Sequence, residues 1–320
     1  MNFLSQPFFI LTFDGGGVRG ALTANLLERI TLNRPGVLPL TDMFAGTSTG
    51  SIIASSLAVG MKPNQICQAY EHLAPKIFQG NIFKKIPLIG NAISSKYHNQ
   101  NLKDELIRVF GTIRLGEIPK KLLIASYDID GPAVESTRPR SWKPKFFNNY
   151  QADDCNRSLV EVILSSTAAP TYFPAWNQYI DGGVAANNPS MAALAQAIDA
   201  HTGRQKLPII VLLSFGTGLT PTFIKHRNMS WGWLPWVNHL IDIMLDGNVS
   251  VADYQVKRLL DDRYFRLNPI LNYSAPMDDV RLLPQLLTTA RDYDIAPVLN
   301  WLDTNFGNFY GKPAVMRGQH

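Results

Sequence analysis

Apolar residues along this chain fall into short unbroken runs, separated by stretches in which they recur every three or four positions. Phe8-Phe9-Ile10-Leu11-Thr12-Phe13 shows no alternation, as expected of a strand buried on both faces. A helical stretch with Leu22, Leu26 and Ile30 on one side follows, then a second apolar run at 43–45 and a small-residue helical segment at 51–59. Helical spacing returns at Ile66, Tyr70 and Leu73, and again at Leu102, Leu106, Val109 and Phe110. Residues 122–127 read as another buried strand, 159–165 as a short helix, and 177–180 as a strand. Asn188 followed by Pro189 reads as a cap and first turn, opening a helix with Met191, Leu194, Ala195 and Ile198 on one side. Residues 209–213 are the last clear core strand. Buried strands alternating with amphipathic helices predict an α/β fold around a mostly parallel sheet. No internal repeat, low-complexity segment or linker interrupts the pattern, so one domain over 1–320 is the simplest reading.

Composition narrows the picture. A chain of 320 residues with 46% hydrophobic and 17% charged residues can bury a large core and is not disordered. Its two cysteines, Cys67 and Cys155, lie far apart without metal-ligand spacing, which argues against a disulfide framework and fits a reducing compartment. The first apolar run has no basic flank and ends in glycines, so it reads as a strand and not as a signal peptide; no run is long enough to span a bilayer. On these features the protein is expected to be cytoplasmic and transiently at the membrane surface. A net charge of +5 favours an anionic lipid surface and is too small to argue for nucleic acid.

Candidate chemistry sits in the turns between these elements. Gly46-Thr47-Ser48-Thr49-Gly50 joins a strand to a helix, the context of a nucleophile elbow. A serine at the tip of so sharp a turn needs a strained backbone, and glycines two residues away on each side remove the clashes. Read plainly, the same stretch is a glycine-rich turn with a capping serine. Asp14-Gly15-Gly16-Gly17-Val18-Arg19-Gly20 also joins strand to helix. Gly15, Gly17 and Gly20 satisfy a dinucleotide-binding spacing, which requires an acidic residue at the end of the next strand. Asp42 precedes that strand, and the Ser48 turn occupies the required place. The competing reading is that Gly15, Gly16 and Gly17 offer backbone N–H groups as an oxyanion hole. Arg19 then acts as a fixed cation beside the loop or as its anchor to a nearby carboxylate.

A nucleophilic serine needs a base. His72, His98, His201, His226, His239 and His320 are all set apart from strand-end glycine loops and read as surface or structural residues. Asp181, at a strand end and followed by Gly182 and Gly183, leaves room for a substrate; alternatively it is an ordinary turn aspartate. If Asp181 acts directly on Ser48, the site is a dyad. A carboxylate is a weak base toward an alcohol, so much of the rate must then come from positioning and electrostatics.

The motifs around Gly15–Gly17, Ser48 and Asp181 resemble, in this order, the three signatures of patatin-like phospholipases. Ser165-Ser166-Thr167-Ala168-Ala169-Pro170-Thr171-Tyr172-Phe173-Pro174, Ser126-Tyr127-Asp128-Ile129 and Leu213-Ser214-Phe215-Gly216-Thr217-Gly218 are similar to further family stretches. The resemblance spans most of residues 8–218, with a looser match over 253–267. It implies a three-layer α/β/α sandwich and hydrolysis of fatty-acyl esters, of phospholipase A or lysophospholipase type, with no metal or other cofactor. Carried over, Ser48 is the nucleophile and Asp181 the base. Gly15, Gly16 and Gly17 form the oxyanion loop, supported by Arg19, Gly46, Gly50, Gly182 and Gly183. A general carboxylesterase or acyltransferase at the same site is the nearest alternative; a nucleotide-binding module or a catalytically silent storage protein is the alternative of another class.

The expected partner is a membrane phospholipid or glycolipid, and two greasy segments are candidates for meeting it. One contains Phe83, Lys84 and Lys85; the other holds Trp231, Trp233 and Trp236 within six positions. Tryptophan suits the lipid–water boundary and lysine stems reach toward headgroups, so these segments are expected to form a rim or lid over Ser48 unless they simply pack on the core. Arg138, Arg140, Lys143 and Lys145, interleaved with Trp142, Phe146 and Phe147, read as a solvated, proline-broken hairpin.

Overall fold

The computed structural model describes residues 7–78, 95–132, 139–224 and 233–307. In chain order the main elements are β1 (Phe8–Phe13), α1 (Gly20–Asn33), β2 (Thr41–Thr47), α2 (Thr49–Ala58), α3 (Pro63–Ile77) and α4 (Asn99–Phe110). They continue as β3 (Lys121–Gly131), β4 (Ser141–Asn148), α5 (Leu159–Thr167), β5 (Tyr179–Asp181), α6 (Ser190–Ile198) and β6 (Ile210–Phe215). Then come α7 (Trp233–Leu260), β7 (Tyr264–Leu267), α8 (Leu283–Asp292) and α9 (Ala296–Phe306).

The strands form a seven-stranded sheet in the order β4-β3-β2-β1-β6-β7, with β5 also paired to β3. The pairs β1–β2, β1–β6, β2–β3 and β6–β7 are parallel, whereas β4 and β5 run antiparallel to β3. Alternate side chains of β1 face opposite layers, which is why its sequence shows no polar face. Phe9, Leu11 and Phe13 pack with Leu22 and Leu26 of α1, Leu106 of α4, Leu286 of α8 and Phe306 of α9. Ile10 joins Met43, Ala45, Leu123 and Leu212 on the other face, covered by Leu194 of α6 and Val256 and Leu260 of α7. The result is the three-layer α/β/α sandwich.

Two details add to the sequence reading. The strand near 177–180 is β5, a short antiparallel partner of β3, whose register sets Asp181 opposite Ser126. The basic segment 141–148 is the second strand of a β3–β4 hairpin and the edge strand of the sheet, exposed over its first residues but buried at Phe147 and Asn148. Pro144 sits there opposite Tyr127, tolerable because an edge strand needs fewer N–H donors. Lys145 binds the buried carboxylate of Asp154 at 2.8 Å.

β1 is flanked by β2 on one side and β6 on the other, so the chain leaves its C-terminal end in one direction and returns from the other. Such a reversal opens a crevice at the strand ends, where ligands of open α/β sheets bind. Asp14, Ser48 and Gly216 each follow the strand that ends at this crevice.

Candidate active site

Ser48 lies between β2 and α2 with φ 51° and ψ −122°, a positive-φ conformation costing a non-glycine residue about 1–3 kcal/mol. Its neighbours make this turn possible and hold it. A Cβ on Gly46 would lie 2.2 Å from the Gly50 carbonyl oxygen, and one on Gly50 would lie 2.1 Å from that of Phe13. Helix α2 therefore starts hard against two strands, and only glycine fits at either place. The Ser48 N–H donates to Ser166 Oγ at 2.9 Å, and that hydroxyl donates onward to the Ala125 carbonyl at 2.6 Å. Thr47 Oγ1 donates to the Ala186 carbonyl at 2.6 Å, pinning the other side of the turn.

Asp181 is buried at the end of β5. Its Oδ1 accepts the Gly183 N–H at 2.7 Å, and the Ser48 hydroxyl lies near enough to the carboxylate to favour its charged form. Burial pushes the carboxyl up from 3.8 to about 6, a shift that these two groups only partly offset. The shift has a consequence for stability. A carboxylate whose folded-state pKa is raised costs nothing below the unfolded value, an increasing amount as pH climbs to about 6, and its full penalty above that. That penalty is about 3 kcal/mol for the shift seen here. Asp181→Asn keeps the shape and an acceptor for Gly183 without the charge. It is expected to raise the melting temperature at pH 8 and to leave it nearly unchanged at pH 4; equal effects at both pH values would contradict the burial account.

The glycine loop divides into two roles. Gly15 was expected to serve as an oxyanion donor, but its N–H is spent on the Asn187 carbonyl at 3.0 Å. No partner among the described residues takes the N–H of Gly16 or Gly17, and both residues line the cleft. Gly15 is instead a spacer, with Ser48 Cβ 3.2 Å from where its own Cβ would stand. Thr217 Oγ1 donates to the Gly15 carbonyl at 3.0 Å, and the Val18 N–H donates to the Met277 carbonyl at 2.7 Å. Arg19 is half-buried, its nitrogens 3.4 Å from the carbonyl oxygens of Gly16 and Gly218. Burial pushes its guanidinium below the usual value. It ties the loop to the segment after β6 through carbonyls, not through a close carboxylate.

Beneath the loop, Asp14 forms a buried two-pronged pair with Arg266 of β7, at 3.4 and 2.6 Å. Arg266 also donates to Ser214 Oγ at 2.8 Å, and Ser214 is linked to Ser190 and then to Thr12. Asp42, the residue a dinucleotide site would need, accepts the Phe9 N–H at 2.8 Å at the start of β2, away from the crevice.

Ser48, Asp181, Gly16, Gly17 and Gly183 open onto one cleft of about 240 Å³. From Ser48 it runs between α2, α3 and α4, past Ile52, Ile66, Leu73, Leu102, Leu106 and Phe110, so its wall is almost wholly apolar. Of the histidines, His72, His98, His201 and His239 are exposed and none lines the cleft; His226 and His320 lie outside the described residues. Gly182 packs on the Ala125 carbonyl behind Asp181. Phe83, Lys84, Lys85 and Trp231 lie outside the described residues, as does the side chain of Trp233, and Trp236 is half-buried on α7. Among the described residues no helix is long and apolar enough to cross a membrane.

Sequence reasoning gave no role to Ser166, Met277 or Arg266. Ser166 lay inside a family-like stretch, and a serine in an otherwise apolar helix was the available signal. Met277 acts through its backbone, which no residue type announces.

A serine on a strained strand-to-helix turn, a buried carboxylate and two glycines with unpartnered amides thus line one apolar cleft at the strand ends of an α/β sandwich. The family profile of the patatin-like phospholipases matches residues 11–194, and the chain belongs to that family. Membership places it among lipid hydrolases. Protein teg of Priestia megaterium is 29% identical, covering 93% of this chain and 98% of the relative. The putative sporulation hydrolase CotR of Bacillus subtilis is 27% identical with the same coverage. A cGAMP-activated phospholipase of Pseudomonas aeruginosa is 25% identical over 82% of this chain and 78% of its own.

Proposed function

We propose that this protein hydrolyses fatty-acyl esters of membrane lipids through an acyl-serine intermediate on Ser48, with Asp181 as the only general base. The observation that carries the reading is the approach of the Ser48 hydroxyl to the buried Asp181 carboxylate at the head of an apolar cleft. The acyl chain lies along Ile52, Leu102 and Leu106, bringing the ester carbonyl to Ser48. As Oγ attacks, its proton passes to Asp181, and the oxyanion meets the N–H groups of Gly16 and Gly17. Collapse of this intermediate expels the lysolipid oxygen, which takes the proton back from Asp181. Water, giving its proton to the same carboxylate, then attacks the acyl-serine; as this second intermediate collapses, the fatty acid leaves and Ser48 Oγ takes the proton back from Asp181.

Burial suits Asp181 to this work. A carboxyl at about 6 is a stronger base than an ordinary one and is still ionised at neutral pH. The rate should therefore rise with pH, with an apparent pKa near 6, and level off above it. Mass-spectrometric product analysis on mixed bilayer lipids tests the reading, with free fatty acid and lysolipid as the expected products. A protein that cleaves short soluble esters and leaves those lipids intact would be a carboxylesterase instead.

A further inference from the structure

Three segments meet at the cleft mouth: residues 95–98 before α4, the 171–172 turn after α5 and the 276–279 loop before α8. They are tied by the N–H of Lys96 to the Thr171 carbonyl at 3.0 Å and the N–H of Tyr97 to the Tyr172 carbonyl at 2.7 Å. Asp278 and Tyr172 both line the cleft. The Asp278 side chain is only 10% exposed, yet it carries two partners: an ion pair with Lys96 and the Tyr97 hydroxyl, which donates at 2.8 Å. The Lys96 ammonium also lies 5.4 Å from the ring centre of Tyr97 and 6.0 Å from that of Tyr172, within the range of cation–π attraction. A carboxylate and two aromatic rings thus surround one cation, and here the protein supplies that cation itself. The site is close to the chemistry, because Met277, the preceding residue, touches Val18 through its carbonyl and packs against Gly17.

We propose that Asp278, Tyr97 and Tyr172 form a subsite for the ammonium group of a zwitterionic phospholipid headgroup, choline or ethanolamine, which Lys96 fills when no lipid is bound. The proposal rests on the lipid-hydrolase reading. With the ester at Gly16 and Gly17 and the acyl chain running inward, the headgroup points outward to this mouth. Its two charges match the two already there. The headgroup ammonium replaces Lys96 at Asp278 and the rings, while Lys96 turns to the phosphate, so no charge is left without a partner. A phosphoglycerol headgroup supplies only the phosphate. It would draw Lys96 away and leave a largely buried carboxylate with the Tyr97 hydroxyl but no cation, which is costly. Specificity here comes as much from rejecting the wrong headgroup as from holding the right one.

The test compares dihexanoyl-phosphocholine with dihexanoyl-phosphoglycerol as dispersed monomers, which removes differences in vesicle adsorption. Wild-type protein should favour the choline lipid in kcat/KM by about tenfold. Asp278→Asn should bring the ratio close to one, and Tyr172→Leu should lower it in the same direction. The ratio within each variant is the readout, since a loss of folding or of the Met277 contact scales both substrates together. Equal rates on the two lipids in the wild type, or a preference unmoved by both substitutions, would overturn the subsite. If both lipids are cleaved in a Ser48-dependent way at equal rates, the subsite alone fails; if neither is cleaved, the lipid-hydrolase reading fails with it.

Discussion

Replacing Ser48 with alanine is expected to lower lipid-ester turnover by about 10⁴-fold or more, the scale seen when a nucleophile that works with its base is removed. Alanine keeps the Cβ and the same strained φ of 51°, so the turn, its Ser166 contact and the cleft should persist. The change removes only the attacking oxygen and the hydroxyl that favours the charged form of Asp181. Without that hydroxyl the buried carboxyl should titrate still higher. Any residual hydrolysis, carried by water activated at Asp181, should shift its pH profile upward. The amides of Gly16 and Gly17 remain, so a residue of catalysis over water is expected from them and from binding. Rates from wild type and Ser48→Ala on one lipid, each measured across pH, check both parts of this expectation.

Gly17→Ala should be the most damaging single methyl in the loop. The residue has φ +59°, and an added Cβ would lie 2.1 Å from the Met277 carbonyl oxygen, a backbone atom with no side-chain torsion to yield. The left-handed conformation costs alanine roughly 1–2 kcal/mol. Relieving the clash must also push the 276–279 loop away, stretching the 2.7 Å bond from Val18, and is expected to turn the Gly17 N–H from its proposed place as an oxyanion donor. Losing one such donor costs about 10²–10³ in kcat. Gly60→Ala is the control: its φ is +93° with nothing within 4 Å of the new Cβ, so it carries backbone strain without the clash. Gly60→Ala should melt lower with kcat intact, while Gly17→Ala should lose both. Parallel thermal melts and kcat measurements distinguish the two.

The legible parts of this protein are those where one requirement dictates the residue type. Phe8–Phe13 announces a doubly buried strand because both faces need apolar side chains. Gly46 and Gly50 announce the elbow because nothing larger fits. Asp181 stood out through the two glycines that follow it, one of which supplies its N–H donor. The less legible parts depend on where distant backbone arrives. Gly15, Gly16 and Gly17 are identical in sequence, and only the Asn187 carbonyl separates a spent amide from two open ones. Arg266 secures Asp14 from 252 positions away, through strand order that local periodicity does not encode. The hairpin that carries β4 is legible from its alternating basic and aromatic residues, but not that Lys145 is held by a carboxylate that folding buries.

The most direct measurement is to quench the protein during turnover of a slow fatty-acyl ester, digest it, and map the retained acyl group by mass spectrometry. The mechanism predicts the acyl mass on the peptide containing Ser48, labelling of that same residue by a fluorophosphonate, and neither adduct in Ser48→Ala. An acyl group trapped on any other residue, or full hydrolysis by a protein that never carries one on Ser48, would contradict it.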